Sequence, residues 1–205
     1  MSLETPMQRI VLASSNRGKL AEFSALLADS HFEVIPQSEL GVEDAEETGL
    51  TFVENALLKA RHASRVTGLP ALSDDSGLCV THLRGAPGLY SARYSGAHGD
   101  SAANNTRLLR ELDGVPAEQR NAFFICVLAL LRHAEDPAPL IAEGRWHGRV
   151  LDAPRGARGF GYDPLFLPHE QAVSAAELEP GEKNRLSHRG QALAALHARI
   201  AELKS

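Results

Sequence analysis

The first pattern along the chain is a short apolar run, Arg9 to Ala13, followed by the polar stretch Ser14-Ser15-Asn16-Arg17-Gly18-Lys19. Leu20, Phe23, Leu26 and Leu27 then recur at helical spacing. This pattern predicts a buried strand, a polar turn and a helix running to about Ala28. A second strand is expected over Phe32 to Ile35, closed by Pro36, and Gln37 to Leu50 is acidic and irregular. Thr51-Phe52-Val53-Glu54 has the form of a capping box, in which threonine and glutamate satisfy orphan amides reciprocally. The helix that it opens should reach about Val66 and stop near Gly68 and Pro70. Phe52, Ala56, Ala60 and Ala63 form its expected buried stripe, with Asn55 and Lys59 one turn apart beside it.

Further on, Ala71 to Ser73 and Leu78 to Thr81 read as strands on either side of Asp74-Asp75-Ser76-Gly77. Leu83 to Gly99 is glycine-rich and reads as a long loop, and a helix follows near Ala102 to Leu112. The continuous apolar run Ala122 to Leu131 reads as a buried strand, and Leu140 to Val150 as another. A final helix is expected over Ala192 to Leu203, with Leu193, Leu196, Ile200 and Leu203 facing inward. Strands alternating with helices predict an α/β fold with a mixed central sheet flanked by helices.

At 205 residues the chain can bury a substantial core as one domain, and that domain could have two lobes. Hydrophobic residues make up 43% and charged residues 23%, ordinary for a globular protein. The formal net charge of −5 argues against a nucleic-acid binder, which needs a basic footprint, and leaves room for a small phosphorylated ligand. Cys79 and Cys126 each sit inside an apolar run without a C-x-x-C pair, so buried free thiols are expected and a thiolate zinc site is not. Met1 to Pro6 is short and polar, and the longest apolar run is far below the about 20 residues of a membrane span. A cytoplasmic protein is the expectation.

Four clusters of residues bear on chemistry. Ser14 to Lys19, between a strand and a helix, offers free amides, a helix dipole and a lysine; it is either an anion site or a capped helix start. It lacks the first glycine and the final hydroxyl of a Walker A loop. The second cluster is acidic. Glu46, Glu47, Asp74 and Asp75 supply hard oxygens of the kind Mg²⁺ prefers, although paired acids are also common on surfaces. Gly156 to Asp163 is either a flexible loop anchored by Phe160 or a platform on which that ring meets a planar ligand. Lys183 to Gly190 gathers cations and His188 just before the expected last helix, as a ligand contact or as a solvated basic turn.

Taken in order, these blocks resemble the inosine triphosphate / dITP-XTP pyrophosphatase family. The resemblance is carried by Val11 to Lys19, Ala45-Glu46-Glu47-Thr48-Gly49 and Thr51 to Ala56, then by Asp74-Asp75-Ser76-Gly77-Leu78. Gly85 to Gly88, Tyr90 to Tyr94, Phe160 to Pro164 and Ser187-His188-Arg189-Gly190 complete it. Ser14-Ser15 departs from the Thr-Gly of many relatives but keeps a hydroxyl.

The resemblance implies one two-lobed domain over 7–205 with an active-site cleft, behind an extension at 1–6. It implies Mg²⁺-dependent hydrolysis of ITP, dITP and XTP to the monophosphate and pyrophosphate. Ser14, Ser15, Asn16, Arg17, Gly18 and Lys19 are expected to hold the triphosphate. Glu46 and Asp75 are expected to bind Mg²⁺, with Asp75 also accepting the proton of the attacking water. Ser76 is expected to touch the substrate. Phe160, Gly161, Tyr162, Asp163, Lys183, His188 and Arg189 are expected to surround the base, and the protein to form a homodimer. Hypoxanthine and xanthine present an acceptor at position 6 where adenine presents an amine, so donors from His188 and Arg189 would select the former. Two competing readings are a Maf-type nucleotide pyrophosphatase, with other base preferences, and a nucleotide sensor without chemistry.

Overall fold

The computed structural model describes residues 8–27 and 32–202. The extension at 1–6, Ala28, Leu203 and the side chains of Arg17, Leu26 and Leu27 lie outside what is described. In chain order the main elements are β1 (Gln8–Ala13), α1 (Arg17–Leu27), β2 (Phe32–Pro36) and α2 (Phe52–Thr67). They are followed by β3 (Ala71–Val80), α3 (Ser101–Glu111), β4 (Asn121–Leu131) and β5 (Leu140–Val150). The last are β6 (Phe166–Pro168), α4 (Pro180–Leu186) and α5 (His188–Glu202). The strands make one six-stranded mixed sheet in the order β2-β1-β3-β4-β5-β6.

β1 lies parallel to β2, with Ile10 opposite Val34, and parallel to β3, with Leu12 opposite Leu72. The connection through α1 leads to one side of β1, and the connection through α2 leads to the other. The carboxyl ends of β1 and β3 therefore flank a reversal of strand order, the place where open α/β sheets accept ligands. Helix α2 packs on β1 through a face of small residues, Ala56, Ala60 and Ala63, each 0% exposed. Phe52, expected in that stripe, is half-buried at the rim. Thr51 caps the helix by accepting from the Glu54 amide, and Gly68, with φ of 68°, ends it in the left-handed region. The Glu54 carboxylate reaches the Leu50 amide and the Thr51 hydroxyl, each at 2.8 Å, a variant of the expected capping box.

Contacts divide the chain into two compact units. The first comprises the described residues up to Asp75, Val127–Ala142 and the segment from Leu193 on; the second comprises Ser76–Cys126 and Glu143–Ala192. In the first unit Ile10, Val11, Leu12, Phe23, Leu72 and Leu128 are almost wholly buried. The core of the second gathers Leu78, Val80, Leu108, Phe124, Trp146, Leu165 and Phe166, with the Phe124 and Phe166 rings edge to face at 4.7 Å.

Three expectations are corrected. Asp74 to Gly77 does not separate two strands, because β3 runs unbroken through it. The carboxylates can stay in the strand because lysines meet them, as described below, and Gly77 stays because only hydrogen fits. A Cβ there would overlap the Gly88 carbonyl oxygen and come within 2.7 Å of Ser91 Oγ. Second, the stretch Leu83 to Gly99 is not loop throughout, since Gly88–Arg93 forms a 3-10 turn. Third, the basic segment is not a turn ahead of the last helix. Lys183 lies in α4, and α5 begins at His188, four residues earlier than Ala192. Ser187 makes this possible by accepting the Gly190 amide on its hydroxyl at 3.2 Å, an N-cap bond. Strand β6 was not anticipated; its three residues include Pro168, which an edge strand tolerates.

Gly144 on β5 lets the first turn of α5 pack closely on that strand within the second unit. A Cβ at this position would overlap the His188 carbonyl oxygen and stand 2.5 Å from the Ala192 amide nitrogen. Gly144→Ala is therefore expected to destabilise the protein by about 1–3 kcal/mol, the usual cost of forcing carbon into a packed contact. Thermal unfolding of the variant against the parent measures it.

Candidate active site

In the first unit the site starts at the end of β1. Asn16 caps α1 by accepting the Lys19 amide on Oδ1 at 3.1 Å, and Ser14 Oγ accepts the Asn16 amide at 3.4 Å. Ser15 is exposed and donates its hydroxyl to Asp44 Oδ2 at 2.7 Å; Gln37 donates to the other oxygen of Asp44. The turn thus leaves the positive end of a helix dipole bounded by hydroxyls, as an anion site requires. Gly18 forms part of the first turn of α1. Lys19 reaches across to β3, with Nζ 2.9 Å from Asp74 Oδ2, whose side chain is 0% exposed.

Successive residues of a strand point to opposite faces, so Asp75 is met by different partners. Lys59 Nζ stands 2.8 Å from Asp75 Oδ1 and 2.7 Å from Glu47 Oε1. Asn55, one turn before Lys59 on α2, donates Nδ2 to Asp75 Oδ2 at 3.4 Å and accepts the Gly49 amide at 2.8 Å. The helical spacing of Asn55 and Lys59 thereby delivers two donors to one carboxylate.

The electrostatics follow from this packing. Burial pushes the Asp75 carboxyl above the ordinary carboxylate range, and the Lys59 and Lys19 ammoniums only partly offset it. Burial alone would lower Lys59, but Asp75, Asp74 and Glu47 outweigh it and hold the ammonium more firmly charged than usual. Within the pair the lysine stays an ammonium, and Asp75 is the carboxyl whose proton affinity burial raises.

Glu46 and Glu47 part company. Glu47 is half-buried and joins the Lys59 group, whereas Glu46 is exposed, and its carboxylate takes part in no bond found among the described residues. No group of three metal-binding side chains occurs among the described residues. Mg²⁺ does not need such a cage, since one or two carboxylates with water and phosphate oxygens commonly complete its shell. The hard-oxygen donors Asp75 and the Glu46–Glu47 pair suit that ion.

In the second unit a different set assembles. Lys183, 7% exposed, places Nζ 2.7 Å from Asp163 Oδ2 and 5.1 Å from the centre of the Phe160 ring. The same Asp163 oxygen accepts the Phe160 amide at 2.8 Å, which folds the loop Phe160-Gly161-Tyr162-Asp163 on itself. Phe160 remains 36% exposed, while Tyr162 is buried and donates its hydroxyl to the Ser91 carbonyl at 2.9 Å. Arg189, 1% exposed, donates Nη2 to Ser76 Oγ at 3.3 Å, and its guanidinium lies 5.9 Å from the Phe160 ring centre. His188 stacks on Phe124 at 4.8 Å with 12° between the planes. An exposed aromatic face ringed by cations and their partners can take a planar, polar-edged ligand.

The expected residues thus fall into two groups, Ser14 to Lys19 with Asp75 in one unit and Ser76, Phe160 to Asp163, Lys183, His188 and Arg189 in the other. Sequence alone does not reveal Asp74 as a lysine partner, Glu47 as the acid that meets Lys59, or Phe124 beneath His188. Nor does it say what Lys59 and Asn55 face. Their one-turn spacing was the available signal, and only the packing of α2 shows what they face.

Comparisons with known proteins place the chain in a family. Residues 10–199 match the model of the Ham1 family. The chain is 59% identical over 197 residues to a dITP/XTP pyrophosphatase of Xanthomonas campestris pv. campestris (strain 8004), covering 96% of this chain and 99% of that one. It is 57% identical over 206 residues to a dITP/XTP pyrophosphatase of Burkholderia pseudomallei (strain K96243), covering 99% and 98%. A solved HAM1 protein from Coxiella burnetii shares 51% identity and superposes with a TM-score of 0.88, covering 96% of this chain and all of that one. With a match of this extent, the chain belongs to the Ham1 family.

Proposed function

We propose that this protein hydrolyses non-standard purine nucleoside triphosphates, ITP, dITP and XTP, to the monophosphate and pyrophosphate. The observation that carries the reading is the buried Asp75 carboxylate, held by Lys59 and Asn55 in a unit whose α1 terminus offers an anion site. Relatives at 57–59% identity named dITP/XTP pyrophosphatase support the substrate class.

In this reading Ser14 to Lys19 receive the phosphate tail through helix amides, hydroxyls and the Lys19 ammonium. Asp75 takes the proton of a water molecule as its oxygen bonds to the α-phosphorus and the bond to the bridging oxygen breaks. Pyrophosphate leaves with its charge met by Lys19. Lys59 and Asn55 hold both oxygens of Asp75 so that it faces the water in one orientation. Asp75 and Glu46 would hold Mg²⁺, which when bound neutralises phosphate charge and lowers the pKa of coordinated water. Glu46 suits that role because Glu47 is already engaged by Lys59. In the second unit Phe160 stacks on the base, and His188 and Arg189 donate toward the oxygen at position 6.

We extend the reading to a cytoplasmic homodimer. Both cysteines are buried and neither is in a disulfide, and burial pushes the Cys79 thiol up to about 11, as suits a reducing compartment. No helix among the described residues is long and apolar enough to cross a membrane.

Pyrophosphate, not orthophosphate, is the expected inorganic product from ITP and XTP, with ATP, GTP and pyrimidine nucleotides turned over far more slowly. Orthophosphate release, or equal rates across the panel, contradicts the proposal. Asp75→Asn is expected to lower kcat by at least about a hundredfold, as losing a catalytic base does, with the fold retained by circular dichroism. Glu46→Gln is expected to raise the Mg²⁺ concentration needed for half-maximal rate, and Glu47→Gln to leave it nearly unchanged; a metal titration of both variants decides between the two acids.

Without Mg²⁺ the titration of Asp75 has a definite sign. Burial raises its carboxyl above the usual carboxylate range, so its protonation, followed by carboxyl NMR of the metal-free protein, should begin at a higher pH than that of an ordinary aspartate. Lys59→Met removes the cation that restrains Asp75, so this titration should move to still higher pH. A titration that stays in place or moves down refutes the assignment of the Lys59–Asp75 pair.

A further inference from the structure

The loop that carries Phe160 is tied to β3 by a path of buried hydrogen bonds inside the second unit. Tyr162 is 4% exposed, so its ring has almost no surface to give a ligand, whereas Phe160 two residues earlier is 36% exposed. The Tyr162 hydroxyl donates to the Ser91 carbonyl at 2.9 Å. Ser91 carries the path onward, since its Oγ accepts the Leu78 amide at 2.9 Å and donates to the Gly88 carbonyl at 2.6 Å. Leu78 follows Ser76 by two residues, and Ser76 Oγ is the partner of Arg189. A second tie holds the loop from α3, where Asn105 Nδ2 donates to the Gly161 carbonyl at 3.1 Å. Burial holds the Tyr162 phenol above its ordinary range, so it remains a donor at any pH at which the protein would be assayed.

We infer that Tyr162 is a positioning residue for base recognition: through Ser91 it fixes Phe160 and Asp163 against β3, and it does not itself touch the nucleotide. The inference rests on the reading of Phe160, Asp163 and Lys183 as the base-recognising group. It explains why a tyrosine in that segment is buried beside an exposed phenylalanine. The phenylalanine presents a face, and the tyrosine supplies a hydroxyl that ties the loop down.

The test uses the full chain with ITP and GTP. Tyr162→Phe deletes one hydroxyl and keeps the ring, and Asn105→Ala deletes the second tie from a different element. Each is expected to raise KM for ITP about five- to tenfold, the scale of one buried hydrogen bond, with kcat within about twofold. Each should also shrink the ratio of kcat/KM for ITP to that for GTP. The double variant should fall short of the product of the two single effects, because both ties restrain one loop. If Tyr162→Phe lowers the melting temperature but leaves KM and the ratio unchanged, the hydroxyl is only structural and the inference fails. If Tyr162→Phe raises KM while Asn105→Ala does nothing, Tyr162 contacts the base directly, and the inference fails again. A parent enzyme that releases no pyrophosphate from ITP removes the functional reading itself, and the inference with it.

Discussion

Two adjacent carboxylates in a buried strand are the constraint around which the first unit is organised. An unpaired buried charge costs several kcal/mol even after relaxation, so Asp74 and Asp75 can occupy β3 only if cations come to them. Lys19 arrives from the first turn of α1 and Lys59 from the second turn of α2. Because the two acids point to opposite faces of the strand, the helices supplying the lysines are both required. Functional sites are where such arrangements tend to be found, because the burial that makes an acid costly also raises its proton affinity, as it does for Asp75.

The second unit solves a different problem with similar means. There the buried charges are Lys183, Asp163 and Arg189: Lys183 and Asp163 pair with each other, and Arg189 at the start of α5 reaches Ser76 on β3. Cations at the beginning of α5 are mildly opposed by the helix dipole. The Ser187 cap and the packing against Gly144 keep that helix start in place nevertheless. A locally unfavourable arrangement maintained by its surroundings is consistent with a role in holding a ligand.

Much of this was legible in the chain, and the failures have physical causes. Strands β1, β2, β4 and β5 and helices α2 and α3 follow from apolar periodicity and from caps such as Thr51, because those signals are local. Asp74 to Gly77 suggested a break because polar residues with a glycine commonly mark turns; nothing local reveals that lysines 55 and 16 residues away neutralise the acids. Helix α5 starts four residues before Ala192 because its cap is a serine inside a basic run, where no apolar spacing marks a helix. Among site residues, the clusters at Ser14 to Lys19 and Phe160 to Asp163 stood out by composition. Glu47 could not be separated from Glu46 without knowing which one faces Lys59. Asn55 and Lys59 were visible as neighbours on one helix face, but their partner was not.

The alanine face of α2 has a consequence for how the site behaves between turnovers. Ala56, Ala60 and Ala63 have no side-chain torsions to rearrange, so the helix sits on β1 almost backbone to backbone. The residues beside that face therefore inherit the stiffness of the sheet. Asn55 and Lys59 ride on that surface, and most of the ordering of the groups around Asp75 is completed when the chain folds. Little reorganisation then remains for a substrate to drive.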